Sequence, residues 1–286
     1  MRLAFVLFSY FCYIALLPER RLLHMIQFIA FSDMLCPYDA AAAENIPPAF
    51  VSRIESVCGA ASGCRFIATL GNTIDGNADA KTSSCLLNNI LNAFDSTASV
   101  HALKGIRESI IPKDEFMRIA EYTMRYRAFD VSDYRCIFLD AVKDADGRFY
   151  IDDEQLGWIS RLLGKSHRPA IIFTNIPLAV SPDEDPALTI KNADALRALI
   201  EKSNKVALVL QASGPNPAHF VSHGVPYITL SPMCTSDEAS FSLISVSSKG
   251  ISVNGFGAQE SYDISNIFTK NEVSFWSKVK LFFKKH

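Results

Sequence analysis

Between residues 26 and 211 the chain repeats one design: a short run of apolar, β-forming residues closed by a polar residue or a glycine. Residues 26–31 end at Ser32 and Asp33, 65–70 at Gly71, and 100–104 at Gly105. Residues 134–139 end at Asp140, 170–173 at Thr174 and Asn175, and 206–210 at Gln211. A run with no polar alternation is a strand covered on both faces, which needs helices on either side of a sheet. Helical patterns lie between the runs, at 48–57, 84–94, 113–123, 154–163 and 193–202. Beyond residue 220 the segments 227–230, 240–247 and 251–256 alternate as antiparallel strands, with a turn at Lys249 and Gly250. The class is therefore α/β with a β-rich second half, and a ligand would sit over the carboxyl ends of the strands.

Composition removes several functions. Of 286 residues 49% are hydrophobic and 20% charged, which excludes disorder, collagen and coiled coil. The net charge of −2 offers no general attraction for nucleic acid, so no nucleic-acid partner is expected. Seven cysteines, an odd number without a C-x-x-C pair, point to reduced thiols and a cytoplasmic location.

The two ends differ from the middle. Residues 3–17 are apolar except for Ser9, and are followed by Pro18, Glu19, Arg20 and Arg21. The run is short for a membrane span, which needs roughly 20 residues, and no small-x-small cleavage site precedes Pro18. An anchor, a signal and a misassigned start upstream of Met25 all stay open for residues 1–25. At the other end, 271–286 reads as a basic amphipathic helix with Phe275, Trp276, Phe282 and Phe283 against Lys278, Lys280, Lys284 and Lys285. It docks on its own domain, or else on a membrane surface or a protein partner. The organisation expected is an N-terminal segment 1–25, a domain 26–264 and a C-terminal helix 265–286.

Five segments carry a family resemblance by their order: Phe31-Ser-Asp33, Leu70-Gly-Asn-Thr-Ile-Asp-Gly-Asn77, Leu103-Lys-Gly-Ile-Arg-Glu108, Phe173-Thr-Asn-Ile-Pro-Leu178 and Leu208-Val-Leu-Gln-Ala-Ser-Gly-Pro215. They resemble the D-x-H, G-D-x-x-D, G-N-H-[DE], H-x-P and G-H-x-H motifs of the calcineurin-like metallophosphoesterases. Residues 126–142 are similar to that family's "Y-x-F-D…F-x-x-L-D" hairpin, and 153–163 to its "E-x-Q-L-x-W-L" helix. The tail, 226–230 and 251–257, is most similar to the ADP-ribose/CDP-alcohol diphosphatase branch. The resemblance implies a four-layer sandwich, two mixed β-sheets flanked by helices, over about residues 26–264.

The departures bear on chemistry. The family holds two divalent ions (Mn, Fe or Zn) with Asp, Asn and His ligands, so that a metal-held hydroxide attacks phosphorus. Carried over singly, the first Asp is retained as Asp33, while the His of D-x-H is Leu35. The bridging Asp is Asn72, whose neutral carbonyl oxygen is a poor bridge between cations. The Asn of G-N-H is Ile106, the catalytic His is Arg107, the H-x-P His is Asn175, and the G-H-x-H pair falls on Ser213 and Pro215. One ligand of seven survives. His101, His219 and His223 form no pattern that rebuilds the centre, and Asp144, Asp146 and Gly147 read as a hairpin turn.

Without the metals' charge of about +4, several carboxylates could not share one site. The exchanges fit that constraint, because Asn72 removes a negative charge and Arg107 adds a positive one. Asp33, Asp75, Glu108 and Arg107 are thus expected as a metal-free polar cluster, with Arg107 as an ion-pair partner or a phosphate clamp, and with Asp75 and Glu108 matching supporting acids of that family or else hydrogen-bonding to the loops. Asp33, Asn72, Asp75, Arg107, Glu108, Asn175 and Ser213 are the candidate ligand-binding residues. A pseudoenzyme is expected, with no cofactor, acting as a ligand-binding or interaction module on a nucleotide or phosphate or on a protein. An active phosphodiesterase with a rearranged site, and a membrane-associated structural protein, are the alternatives.

Overall fold

In the computed structural model, which describes residues 25–180, 189–212 and 217–265, two six-stranded mixed sheets pack face to face. The first is built from β1 (Ile26–Phe31), β2 (Ile67–Thr69), β3 (Val100–Ala102), β12 (Phe241–Ser247), β13 (Gly250–Phe256) and β14 (Tyr262–Ser265), in the order β14-β13-β12-β1-β2-β3. The second contains β4 (Arg127–Val131), β5 (Tyr134–Leu139), β8 (Ala170–Thr174), β9 (Val206–Gln211), β10 (Ala218–Ser222) and β11 (Val225–Thr229), in the order β10-β11-β9-β8-β5-β4. A small hairpin, β6 (Val142–Lys143) and β7 (Phe149–Tyr150), stands apart.

Both faces of the central strands are buried, as their unbroken apolar runs require. Phe28 and Ala30 of β1 face the other sheet, while Ile29 and Phe31 face the helices. Between the sheets lies an aromatic stack in which Phe138 and Phe173 are parallel at 4.3 Å and Phe28 and Phe66 at 4.9 Å. The outer layers are α1 (Pro48–Ala60), α2 (Ala80–Asp95) and α3 (Lys113–Ile119) on the first sheet, and α4 (Asp153–Lys165) and α5 (Ala193–Ser203) on the second. A histidine closes each pair of sheet edges: His101 of β3 stacks on Phe129 of β4 at 4.2 Å, and His219 of β10 on Tyr262 of β14 at 3.8 Å.

The α/β sandwich is the expected one; several boundaries move. Helix α2 begins at Ala80 rather than 84, because Asp79 caps it by accepting from the Lys81 and Thr82 amides. Helix α3 stops at Ile119 rather than 123, with Glu121 in the left-handed region at φ 57°. Strands β10 and β14 were not expected. Residues 1–24 and 266–286, on which the N-terminal and C-terminal readings rest, lie outside the described residues, as do Ser213 and Pro215.

Candidate functional site

The loops leaving β1 and β2 run side by side beyond the sheet. Asp33 N donates to Gly71 O (3.0 Å), Leu35 N to Asn72 O (2.9 Å) and Cys36 N to Thr73 O (3.0 Å), extending the parallel pairing of the strands. Asp33, Leu35 and Asn72 all lie in the left-handed region, at φ 52°, 53° and 54°. Such residues cost on the order of 1 kcal/mol each and persist where surrounding structure over-determines them.

The Asn72 side chain sits at the centre of this junction. Its Nδ2 donates to Asp33 Oδ1 at 2.7 Å, and its Oδ1 accepts from the Arg107 amide at 2.9 Å. Only a side chain with both a donor and an acceptor satisfies both contacts, so the arrangement selects asparagine over the aspartate of the resembling motif. The loop after β3 approaches closely enough to require glycine. A Cβ on Gly105 would fall 2.2 Å from Asn72 N, and one on Gly71 2.7 Å from Gly105 Cα.

Glu108 is fully buried and organises both loops. Its Oε2 accepts from the amides of Asn72 (2.9 Å) and Gly105 (2.8 Å), and its Oε1 from those of Thr73 and Ile74. Burial raises its pKa above the ordinary carboxylate value, and the amide donors oppose the rise. Glu108 therefore bonds the loops, with both carboxylate oxygens already accepting from backbone amides. It is itself the anion in the backbone nest, and the amides that would cradle a phosphate are already engaged.

Arg107 lies outside this cluster, which corrects the expected ion pair. Its backbone is fixed by Asn72, yet its side chain is exposed and no described acid pairs with it. Ile106 beside it is 36% exposed. Asp75 turns away from the junction to accept from Asn77 N at 3.0 Å and Asn77 Nδ2 at 2.8 Å. Asn175 is buried and joins the two sheets: its Nδ2 donates to Lys104 O at 2.7 Å and its Oδ1 accepts from Ala141 N at 3.3 Å.

A neighbouring charged group was not singled out from the sequence. Asp140, at the end of β5, faces Arg125 at 3.5 Å, and Arg125 also bonds Asp152, the N-cap of α4. Burial lifts the Asp140 pKa to about 6 against the pull of Arg125, Lys104 and Lys113. Lys104 donates to Ile111 O at 2.6 Å, and its own pKa is lowered by burial. The signal available was the polar residue closing an apolar run.

These side chains do not fit a two-metal centre. Asp33 is the one carboxylate at the junction with an oxygen open: its Oδ2 is buried and without a hydrogen-bond partner. The Asn72 and Asn175 amides are committed to protein groups, and Leu35 and Ile106 have no donor atoms. Among the described residues no group of three His, Cys, Asp or Glu side chains could hold a metal ion. His219 is in the stack on Tyr262, and His223 lies 2.9 Å from Glu201 in a turn.

No family model matches the chain, and no curated protein is significantly similar to it. Solved structures share its fold. A dimetal phosphatase of Danio rerio superposes with a TM-score of 0.71 at 15% identity, covering 84% of this chain and 98% of that one. A purple acid phosphatase of yellow lupin, Lupinus luteus, gives 0.58 at 11% identity over 84% of this chain and 53% of that one. GAP50, the anchor in the inner membrane complex of Plasmodium, gives 0.56 at 13% identity over 84% and 89%. The fold is that of the calcineurin-like metallophosphoesterases.

Proposed function

We propose that this chain uses a calcineurin-like phosphoesterase fold for binding rather than hydrolysis, as a pseudoenzyme that works without metal cofactors in the cytoplasm or at a membrane surface. The observation that carries the reading is the commitment of Asn72. Its amide bonds Asp33 and the Arg107 backbone where two cations would need a shared carboxylate, so water has no means of activation at neutral pH. The same fold serves as an anchor in a membrane complex in GAP50, which supports a use that needs no catalysis.

The tail's similarity to the ADP-ribose/CDP-alcohol diphosphatase branch makes a nucleotide diphosphate the small-molecule ligand to test, and the free Arg107 guanidinium favours an anion. Contact with one exposed guanidinium is weak, so such binding is expected only near millimolar ligand. Elemental analysis of purified protein, with hydrolysis assays on ADP-ribose and a phosphodiester in the presence of manganese, tests the reading. Less than 0.1 equivalent of metal, on the order of background, and no turnover are expected. Two bound ions, with turnover abolished by Asp33→Ala, would replace it with an active phosphodiesterase. Among the described residues no helix is long and apolar enough to cross a membrane.

A further inference from the structure

We propose that the turn from Ile106 to Ile110, with Lys113 at the start of α3, docks an acidic segment of a partner protein that carries apolar side chains; the inference rests on the binding reading above and names its partner. Ile106 and Ile110 are 36% and 42% exposed, and they bracket Arg107. Both cations of this strip, Arg107 and Lys113, are exposed; Arg107 has no acidic partner among the described residues, and Lys113 lies within electrostatic reach of Asp140. The neighbouring acids leave Arg107 unpaired. Glu108 is buried in its nest of amides, Glu115 is engaged by Arg118 in a two-pronged contact, and Asp114 alone is exposed and unengaged. Lys104, beneath the turn, is balanced in part by Asp140 and Glu108.

The turn is rigid before any partner arrives. Ser109 N donates to Ile106 O and Ile111 N to Glu108 O within it, the Asn72 side chain holds the Arg107 amide, and Gly76 packs directly against the Arg107 carbonyl. The fixed backbone removes the cost of ordering the turn on binding, and arginine is among the residues enriched in interface hot spots. The chemistry also selects the occupant. A free phosphate would meet the guanidinium but not the amides held by Glu108, and would leave both isoleucines in water. Nucleic acid is disfavoured by a net charge of −2. A carboxylate-bearing peptide with apolar side chains satisfies the cations and covers the isoleucines together.

The test is selection of a random peptide display library on the immobilised full chain, followed by anisotropy titration of an enriched peptide. Enriched sequences should be acidic with interspersed apolar residues, and binding should weaken as salt rises. Arg107→Glu should weaken the peptide about 10-fold or more and Ile110→Ser about 5-fold, while Lys249→Glu, in the remote β12–β13 turn, changes nothing. Unchanged circular dichroism and melting temperature show that each variant is folded. Neutral or basic enriched sequences, or binding indifferent to Arg107→Glu, overturn the inference while the metal and hydrolysis assays remain negative. Binding to phosphatidylserine vesicles in place of peptide, abolished by Arg107→Glu, overturns it in favour of a membrane surface. Bound metal with turnover overturns the underlying reading instead.

Discussion

Asn72 donates its side-chain amide to Asp33 at 2.7 Å, joining the loop that follows β1 to the loop that follows β2. A carboxylate at position 72 would face Asp33 without a proton or a cation between them. Asn72→Asp is therefore expected to destabilise the fold by about 2 to 4 kcal/mol at pH 7.5 and by less at pH 4.5, where one proton can be shared. Urea unfolding at the two pH values measures this; equal costs at both would show that repulsion is not the cause.

Glu108 binds four amides from two loops, so its loss leaves four buried donors unsatisfied. Glu108→Ala should cost about 3 to 5 kcal/mol. Hydrogen exchange at Asn72, Thr73, Ile74 and Gly105 should accelerate together in this variant, ahead of the core strands. Protection retained at these four amides would contradict the assignment.

Gly105→Ala drives a methyl group to 2.2 Å from the Asn72 amide and 2.6 Å from Glu108 Oε2. Backbone rather than a flexible side chain blocks it, so roughly 2 to 4 kcal/mol of stability is lost. Gly59→Ala has nothing within 4 Å and lies inside α1, where alanine is favoured, so it should stabilise by a few tenths to about 1 kcal/mol. Melting temperatures of the two variants should move in opposite directions.

Two buried groups set opposing pH dependences. The His101 pKa falls from 6.5 to about 4, mainly by burial and secondarily by Arg127. The unfolded chain then binds the extra proton between these values, and this contribution, up to about 3 kcal/mol, is lost as pH falls from 6.5 to 4. The Asp140 pKa rises from 3.8 to about 6, so there the folded chain holds the extra proton and stability increases as pH falls through the same range. The two largely offset in the native protein. Asp140→Asn should expose the His101 slope as a steeper loss of urea midpoint between pH 6.5 and 4.5, and an unchanged profile would remove Asp140 from this role.

The strand runs closed by polar residues determined the layered α/β class and the address of the site, because two-sided burial leaves an unbroken apolar signature in a single segment. Leu35, Asn72, Ile106 and Asn175 were recognisable as exchanged positions for the same reason: order along the chain is a local property. The edge strands β10 and β14 escaped notice because they are only five and four residues long, two of each face solvent, and none is fully buried. The roles of Glu108 and Arg107 were decided by tertiary structure alone. They are adjacent, and nothing in their sequence says that one is wholly buried and the other exposed. The four amides that claim Glu108 come from loops more than thirty residues apart, and the amide that pins Arg107's backbone belongs to a side chain 35 positions earlier. Donors assembled from separate elements leave no periodic trace, so an acid expected in a ligand-binding cluster becomes the internal anion of the fold, and the cation expected to neutralise it is left free at the surface.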